Sequence, residues 1–282
     1  MKAPAKEVTL GLVQMAMTSD RDENLEKAVK MIGEASTKGA NVICLPELFT
    51  SLYFPQYEAG RGEPEPIPGP TSRALSKAAS KSRAVLVGGT IHEKSAGRSY
   101  NTSVVFDQEG RTLARYRKVH VPQDSHYFEK NYFSSGRGYA VADASCGKIG
   151  PLICFDQWYP EPARICRLRG AQMLFYPTAI GWVRGVEPVE GDWQESWEAV
   201  QRGHAIANSV VVCAVNRAGT EGDMTFWGGS FVVDQFGKVI LRAGAEEGVF
   251  VATCNLSLGE EVEEGWGFMR NRRPSTYKPI SE

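Results

Sequence analysis

The chain has no apolar stretch near the roughly 20 residues a helix needs to cross a bilayer, which excludes a helical membrane span. It has no excess of charge of either sign. Its 32 basic and 33 acidic side chains leave a net charge of −1, so no basic surface for nucleic acid is expected. None of the six cysteines stands in a C-x-x-C pair, and the four histidines (His92, His120, His126, His204) lack ligand spacing. A zinc site is therefore not expected, and a chain of this size needs no disulfide framework. Residues 1–8, MKAPAKEV, run into a strand-like segment without the apolar core of a signal peptide, so a cytoplasmic location is expected. The apolar fraction of 42% and charged fraction of 23% are those of an ordinary globular protein, and 282 residues are expected to form one domain spanning 1–282.

What is present is an alternation of short apolar runs and helical periods. Residues 8–15 (VTLGLVQM) read as a strand. Asp20 with Glu23 three residues on is a capping pattern, and Leu25, Val29, Ile32 and Ala35 follow at helical spacing. Residues 40–45 (ANVICL) form a second strand, which ends at Pro46-Glu47. Strand, helix, apolar strand is a βαβ unit with buried parallel strands. A Pro- and Gly-rich loop at 54–70 is long enough to read as a binding loop. Residues 71–82 read as a helix, 84–90 as a strand, and 102–106 with 111–116 as a hairpin around D-Q-E-G. Residues 149–153 are a strand that leads to Cys154, and 162–169 are a helix closed by Gly170. Strands at 171–176 and 209–215 flank a helix capped at Asp192, on which His204 reads as a packing residue. A second hairpin, 230–234 with 238–242, and a strand at 249–255 precede an Arg- and aromatic-containing tail.

The two halves resemble each other. S-V-V-F-D-Q-E-G-R-T-L at 103–113 lines up with S-F-V-V-D-Q-F-G-K-V-I at 230–240, and G-A-N-V-I-C-L-P at 39–46 with G-A-Q-M-L-F-Y-P at 170–177. One βαβ layer cannot bury both faces of its sheet. Two can, by packing sheet on sheet with helices outside. The expected fold is α/β: a four-layer α-β-β-α sandwich with an internal pseudo-twofold repeat.

Three reactive side chains stand at comparable places: Glu47 past a strand end, Lys118 at a hairpin strand end, and Cys154 where a strand turns toward a helix. Each has a plainer reading as a loop acid, an edge-strand lysine and a buried thiol. Taken together, L-P-E at 45–47, Y-R-K-V-H-V-P at 116–122 and G-P-L-I-C-F-D-Q-W-Y-P-E at 150–161 resemble the nitrilase superfamily of carbon–nitrogen hydrolases over nearly the whole chain. That resemblance implies the same four-layer fold, no metal or organic cofactor, and a homo-oligomer with the tail (about 256–282) at an interface. It implies Cys154 as nucleophile and Glu47 as proton carrier. Lys118 and the backbone N–H of Phe155 would donate to an oxyanion, and Glu129 in F-E-K-N-Y-F would support them. A papain-type Cys154–His120 pair is the competing chemistry.

Within the superfamily, D-Q-W-Y-P-E at 156–161, Q-R-G-H-A-I-A-N at 201–208 and V-N-R-A-G at 215–219 resemble the branch that converts N-carbamoylputrescine to putrescine, carbon dioxide and ammonia. Gln123 and Ser125 in P-Q-D-S, and Asn271 in R-N-R-R-P, depart from that branch's pattern. A cationic tail calls for a carboxylate. Glu187, Glu190 and Asp192 either supply it or form a solvated acidic loop. With Tyr53 and Trp182, Glu187 and Glu190 make up the expected substrate-binding set. An N-carbamoyl-amino-acid hydrolase or β-ureidopropionase would instead need a base for a substrate carboxylate, with Arg184 and Arg217 as candidates, and an ω-amidase would use the same Glu-Lys-Cys site. A scaffold without turnover is disfavoured because all three residues are present.

Overall fold

The computed structural model describes residues 6–60 and 62–281. Residues 1–5, on which part of the leader reading falls, Arg61 in the long loop and Glu282 in the tail lie outside them. The first half of the chain supplies β1 (Glu7–Gln14), α1 (Arg21–Thr37), β2 (Val42–Cys44), α2 (Pro70–Ser82), β3 (Val85–Val87), β4 (Ile91–Ser95), β5 (Arg98–Phe106) and β6 (Thr112–Arg117). The second supplies β7 (Ala142–Ala144), β8 (Gly147–Pro151), α3 (Pro160–Leu168), β9 (Met173–Pro177), β10 (Gly181–Val183), α4 (Trp193–Asn208) and β11 (Val211–Val215). It continues with β12 (Ala218–Glu221), β13 (Met224–Trp227), β14 (Phe231–Val233), β15 (Val239–Arg242), β16 (Gly248–Asn255) and α5 (Ser257–Gly265).

Two large sheets result. One runs β16-β1-β2-β3-β5-β4 with β6 also paired to β5, and the other β15-β14-β11-β9-β8-β7. β1, β2 and β3 are parallel, as are β8, β9 and β11, and each trio is continued by antiparallel strands. Alternation along each strand sorts side chains between two faces. Val42 and Cys44 point into a layer shared with Phe175 and Cys213 of the other sheet, and Ile43 and Leu45 point toward Ile32 of α1 and Leu75 of α2. On the far side Leu174 and Val212 meet Ala163 of α3 and Trp197 of α4. The order is helix, sheet, sheet, helix, as the sequence implied. Buried on both faces, these strands read as continuous apolar runs.

The repeat reaches the backbone detail. The β5–β6 ladder shifts register between Val105 and Phe106, and the β14–β15 ladder between Val232 and Val233, at aligned positions. In both hairpin turns an aspartate closes the loop on itself. Asp107 Oδ1 accepts the N–H groups of Glu109 and Arg111, and Asp234 Oδ1 those of Phe236 and Lys238. The helix caps are also as expected: Asp20 accepts from the N–H groups of Asp22 and Glu23, and Asp192 from those of Gln194 and Glu195.

The structure differs from the sequence reading at several places, and β4, β7 and α5 were not expected. A separate three-stranded sheet, β10-β13-β12, was not expected. The strand before Cys154 ends at Pro151 rather than at 153, and a 3₁₀ turn, Cys154–Trp158, stands between it and α3. That helix opens at Pro160, two residues earlier than expected, because a proline at the first helical position gives up no hydrogen bond.

Candidate active site

The end of β2 places Glu47. The chain turns at Leu48, whose φ of +48° lies in the left-handed region, and Thr90 Oγ1 fixes that turn by accepting the Leu48 N–H at 2.8 Å. The Glu47 side chain is fully buried. Its Oε1 accepts from Asn101 Nδ2 at 2.7 Å and from Lys118 Nζ at 2.8 Å, while Oε2 has no partner among the described residues. Lys118 directly follows β6. Its backbone is tied on both sides, donating N–H to Asn101 O at 2.9 Å and accepting from Gly136 N–H at 2.7 Å. The ammonium has three N–H bonds and meets three carboxylate oxygens at 2.8 Å: Glu47 Oε1, Glu129 Oε1 and Glu129 Oε2. Tyr53 Oη adds a further bond to the cluster, donating to Glu129 Oε1 at 2.8 Å.

Burial would lower the Lys118 ammonium, but Glu129 and Glu47 beside it win, and it is held above the usual lysine range. For Glu129 the balance goes the other way. Burial, helped by the charge of Glu47, outweighs Lys118 and the Tyr53 hydroxyl, and the carboxyl is pushed up to about 7.

Cys154 opens the 3₁₀ turn with φ at +38° and is 5% exposed. Its Sγ lies 3.9 Å from Ala179 O, a weak S–H donor contact. Burial and then Glu47 push the thiol well above its usual range, and Lys118 opposes them without reversing the shift. Taken alone, the Lys118 charge would favour a thiolate. In the resting site that charge is already matched by two carboxylates, and Cys154 is a neutral thiol.

Two residues that sequence reasoning did not assign a role hold these parts in register. Asp156 Oδ2 accepts from the Ile153 N–H at 3.0 Å and from Tyr116 Oη at 2.7 Å, which joins the cysteine turn to the strand that precedes Lys118. Asn216 brackets Ile180, donating Nδ2 to Ile180 O at 2.9 Å and accepting its N–H at 3.0 Å, and so fixes the segment beside the thiol. Both lay in quoted motifs, D-Q-W-Y-P-E and V-N-R-A-G, and their polar side chains beside apolar strands were the available signal.

The remaining candidates separate. His120 is turned away to Asp156: Nδ1 donates to Oδ1 at 2.8 Å and the ring stacks on Tyr159 at 3.8 Å, so a Cys–His pair is not assembled. His204 is a packed helix residue bonded through Nε2 to Gln157 O at 2.7 Å. A cavity of about 220 Å³ opens at Cys154, lined by Asp124, Tyr127, Phe155, Trp158, Trp193 and Ser196 among others. Asp124 is the one carboxylate in that lining among the described residues. Glu187 and Glu190 are exposed and outside it, and Glu190 accepts from Trp193 Nε1 at 3.3 Å. Trp182 stacks behind Trp193 at 5.9 Å, and Tyr53 is buried against Glu129. Arg184 is 72% exposed and reaches Gly222 O, and Arg217 is fully buried in bonds to protein groups. Neither arginine lines the cavity, because one is held outside it and the other is consumed by backbone carbonyls.

A family model described as carbon-nitrogen hydrolase matches residues 9–264. The chain belongs to the carbon–nitrogen hydrolase family. This hydrolase is 38% identical to a protein from Solanum lycopersicum named N-carbamoylputrescine amidase, over 97% of this chain and 94% of that one. It is 36% identical to a protein from Xenopus laevis named omega-amidase, over 95% and 96% of the two chains. A crystal structure of a carbon-nitrogen hydrolase from Helicobacter pylori G27 superposes with a TM-score of 0.89 at 34% identity, covering 98% of this chain and 99% of that one. The resemblance read from the Glu-Lys-Cys motifs thus names the right family.

The pH response of this hydrolase follows from Glu129. Folding raises that carboxyl from its ordinary 4.5, so its contribution to stability is complete below about 4.5 and is lost as pH climbs through about 7. Replacing Glu129 by Gln should flatten the fall of Tm between pH 5 and 8 relative to wild type. Parallel Tm curves for the two proteins would contradict the assignment.

Proposed function

We propose that the enzyme hydrolyses N-carbamoylputrescine to putrescine, carbon dioxide and ammonia through a covalent intermediate on Cys154. The observation that carries the mechanism is the split role of Glu47: Oε1 is held by Lys118 and Asn101, and Oε2 is buried without a partner among the described residues. A carboxylate oxygen that is buried and uncommitted is a strong proton acceptor. Because the thiol is neutral at rest, its proton passes to Glu47 Oε2 as Sγ attacks the carbamoyl carbon. The carbonyl π electrons move to oxygen. That oxyanion takes a proton-donor bond from Lys118, which releases one of its two bonds to Glu129, and a second from the Phe155 N–H. Glu47 returns the proton to the departing nitrogen as the C–N bond breaks, leaving a thiocarbamate on Cys154. Water, deprotonated by Glu47, then cleaves the C–S bond, restores the thiol and releases a carbamic acid, which loses carbon dioxide to free the second amine. Glu129 keeps Lys118 charged and in place throughout.

The substrate reading is supported by the relative from Solanum lycopersicum and by Asp124. A primary ammonium tail needs an anion in the cavity, and Asp124 replaces Glu187 and Glu190 in that part. The omega-amidase relative supports a second reading, a substrate with a carboxylate tail. Against it stands the lack of a cationic side chain in the lining of the Cys154 cavity among the described residues.

Ammonia release from N-carbamoylputrescine, N-carbamoyl-β-alanine, N-carbamoyl-D-amino acids, glutaramate and a simple nitrile tests both readings. Turnover of the carbamoyl polyamine alone, lost in Cys154→Ala, is expected. Asp124→Asn should raise KM for it by about tenfold, the loss of one charged contact. Preference for glutaramate would sink the polyamine reading, and release that survives in Cys154→Ala would sink the nucleophile.

A homo-oligomer belongs to the same proposal. Ile280 of the tail is 73% exposed beside Leu168 of α3 at 49%, and Trp266 is 62% exposed beside Phe236 at 49%, apolar surfaces that a second copy would cover. Sedimentation should show an assembly larger than one chain, and removal of residues 266–282 should reduce it. A monomeric full-length chain would overturn this part.

A further inference from the structure

Arg217 was a candidate for reading a substrate carboxylate, and its actual surroundings point elsewhere. It follows β11 in the second half of the chain, and its side chain is fully buried. Every nitrogen of the guanidinium is used. Nε donates to Glu47 O at 3.0 Å, and Nη2 donates to Leu48 O and Ser51 O at 2.6 Å each. Nη1 donates to both carboxylate oxygens of Glu221 at 2.7 Å. Three carbonyls within five residues converge on one planar group, and these are the residues that carry Glu47 around its left-handed turn.

The other half of the ion pair reaches the second carboxylate. Glu221 Oε2 accepts the backbone N–H of Tyr53 at 2.6 Å, and the same tyrosine's hydroxyl donates to Glu129 Oε1 at 2.8 Å. Glu47 and Glu129 are the two groups that flank Lys118. They come from segments far apart in sequence, and one buried pair is bonded to the backbone of the first and, through Tyr53, to the side chain of the second.

We infer that Arg217 and Glu221 are positioning residues for the reaction: the pair sets where both carboxylates stand relative to Lys118 and Cys154. The guanidinium is suited to this because its donors point in fixed, coplanar directions. A lysine ammonium at the same place would carry the charge but could not reach carbonyls on two sides and a carboxylate on the third. A shift of about 1 Å in a reacting group costs on the order of 10² in rate, so loose support would register in kcat before it registered in binding. Neither residue lines the Cys154 cavity, so substrate contacts are left intact.

The inference rests on the reading of Glu47 as proton acceptor, and the test keeps the two apart. Arg217→Lys, Glu221→Gln and Glu47→Gln are compared with wild type for kcat, KM, Tm and the rate at which iodoacetamide alkylates Cys154, read on the Cys154 peptide by mass spectrometry. The expected result is a fall in kcat of about 10² for Arg217→Lys and about tenfold for Glu221→Gln, with KM changed less than about threefold. Alkylation of Cys154 in the folded variants should slow toward the rate in Glu47→Gln. A role in stability alone would lower Tm and leave kcat and alkylation per folded molecule at wild-type values, which would overturn the inference. Should Arg217→Lys not fold, Glu221→Gln, which keeps the shape and one acceptor, decides on the same criteria. Wild-type alkylation and kcat in Glu47→Gln would instead overturn the mechanism on which the inference stands.

Discussion

The structure depends on one buried ammonium shared by two carboxylates. Lys118, Glu47 and Glu129 are all withdrawn from water, and a charge so placed is tolerable only with its partners present. Removing one partner of such a set is expected to cost about 3–5 kcal/mol, because the charge left behind stays buried. Chemistry and stability therefore constrain the same atoms. The cluster also has a definite polarity. Glu129 gives both oxygens to Lys118, whereas Glu47 gives one, and the asymmetry leaves Glu47 Oε2 without a partner among the described residues.

The two sheets supply the parts unequally. The first half carries Glu47, Lys118 and, in the connection to the second, Glu129; the second carries Cys154, Asn216 and Arg217. The repeat is thus structural and not functional. Matching bulges and matching aspartate turns persist in both halves, while the side chains past the strand ends have diverged into carboxylate, ammonium and thiol. Two cross-links hold the halves at working distance: Asp156 to Tyr116 and His120, and Arg217 to residues 47–51.

Much of this was legible in the chain. Parallel strands buried on both faces leave uninterrupted apolar runs, and helix caps leave an acid with a second acid or amide nearby, so the layers and their repeat could be read directly. The reactive trio was legible because each member sits where a run ends. The small sheet of β10, β12 and β13 was not, since its strands are three or four residues long and carry no strong alternation. Arg217 was misread for a physical reason: arginine is seldom buried, and sequence does not reveal that three carbonyls turn inward to meet it. Glu187 and Glu190 were favoured for proximity along the chain, whereas Asp124 reaches the cavity from a different segment, a relation only folding creates.

The pairing of β16 with β1 bears on how the protein is made. All eight residues of β1 are matched, from Glu7 against Asn255 to Gln14 against Gly248, and Leu256 N–H bonds to Lys6 O at 2.9 Å. β1, in the first half of the described chain, thus waits for β16 in the second. Until β16 arrives, the outer edge of the first sheet is an open row of backbone donors and acceptors, the kind of edge that recruits foreign strands. A nascent chain that already contains Glu47, Lys118 and Cys154 is still unsealed at its margin, so translation must run past β16 before the buried cluster has a finished shell around it.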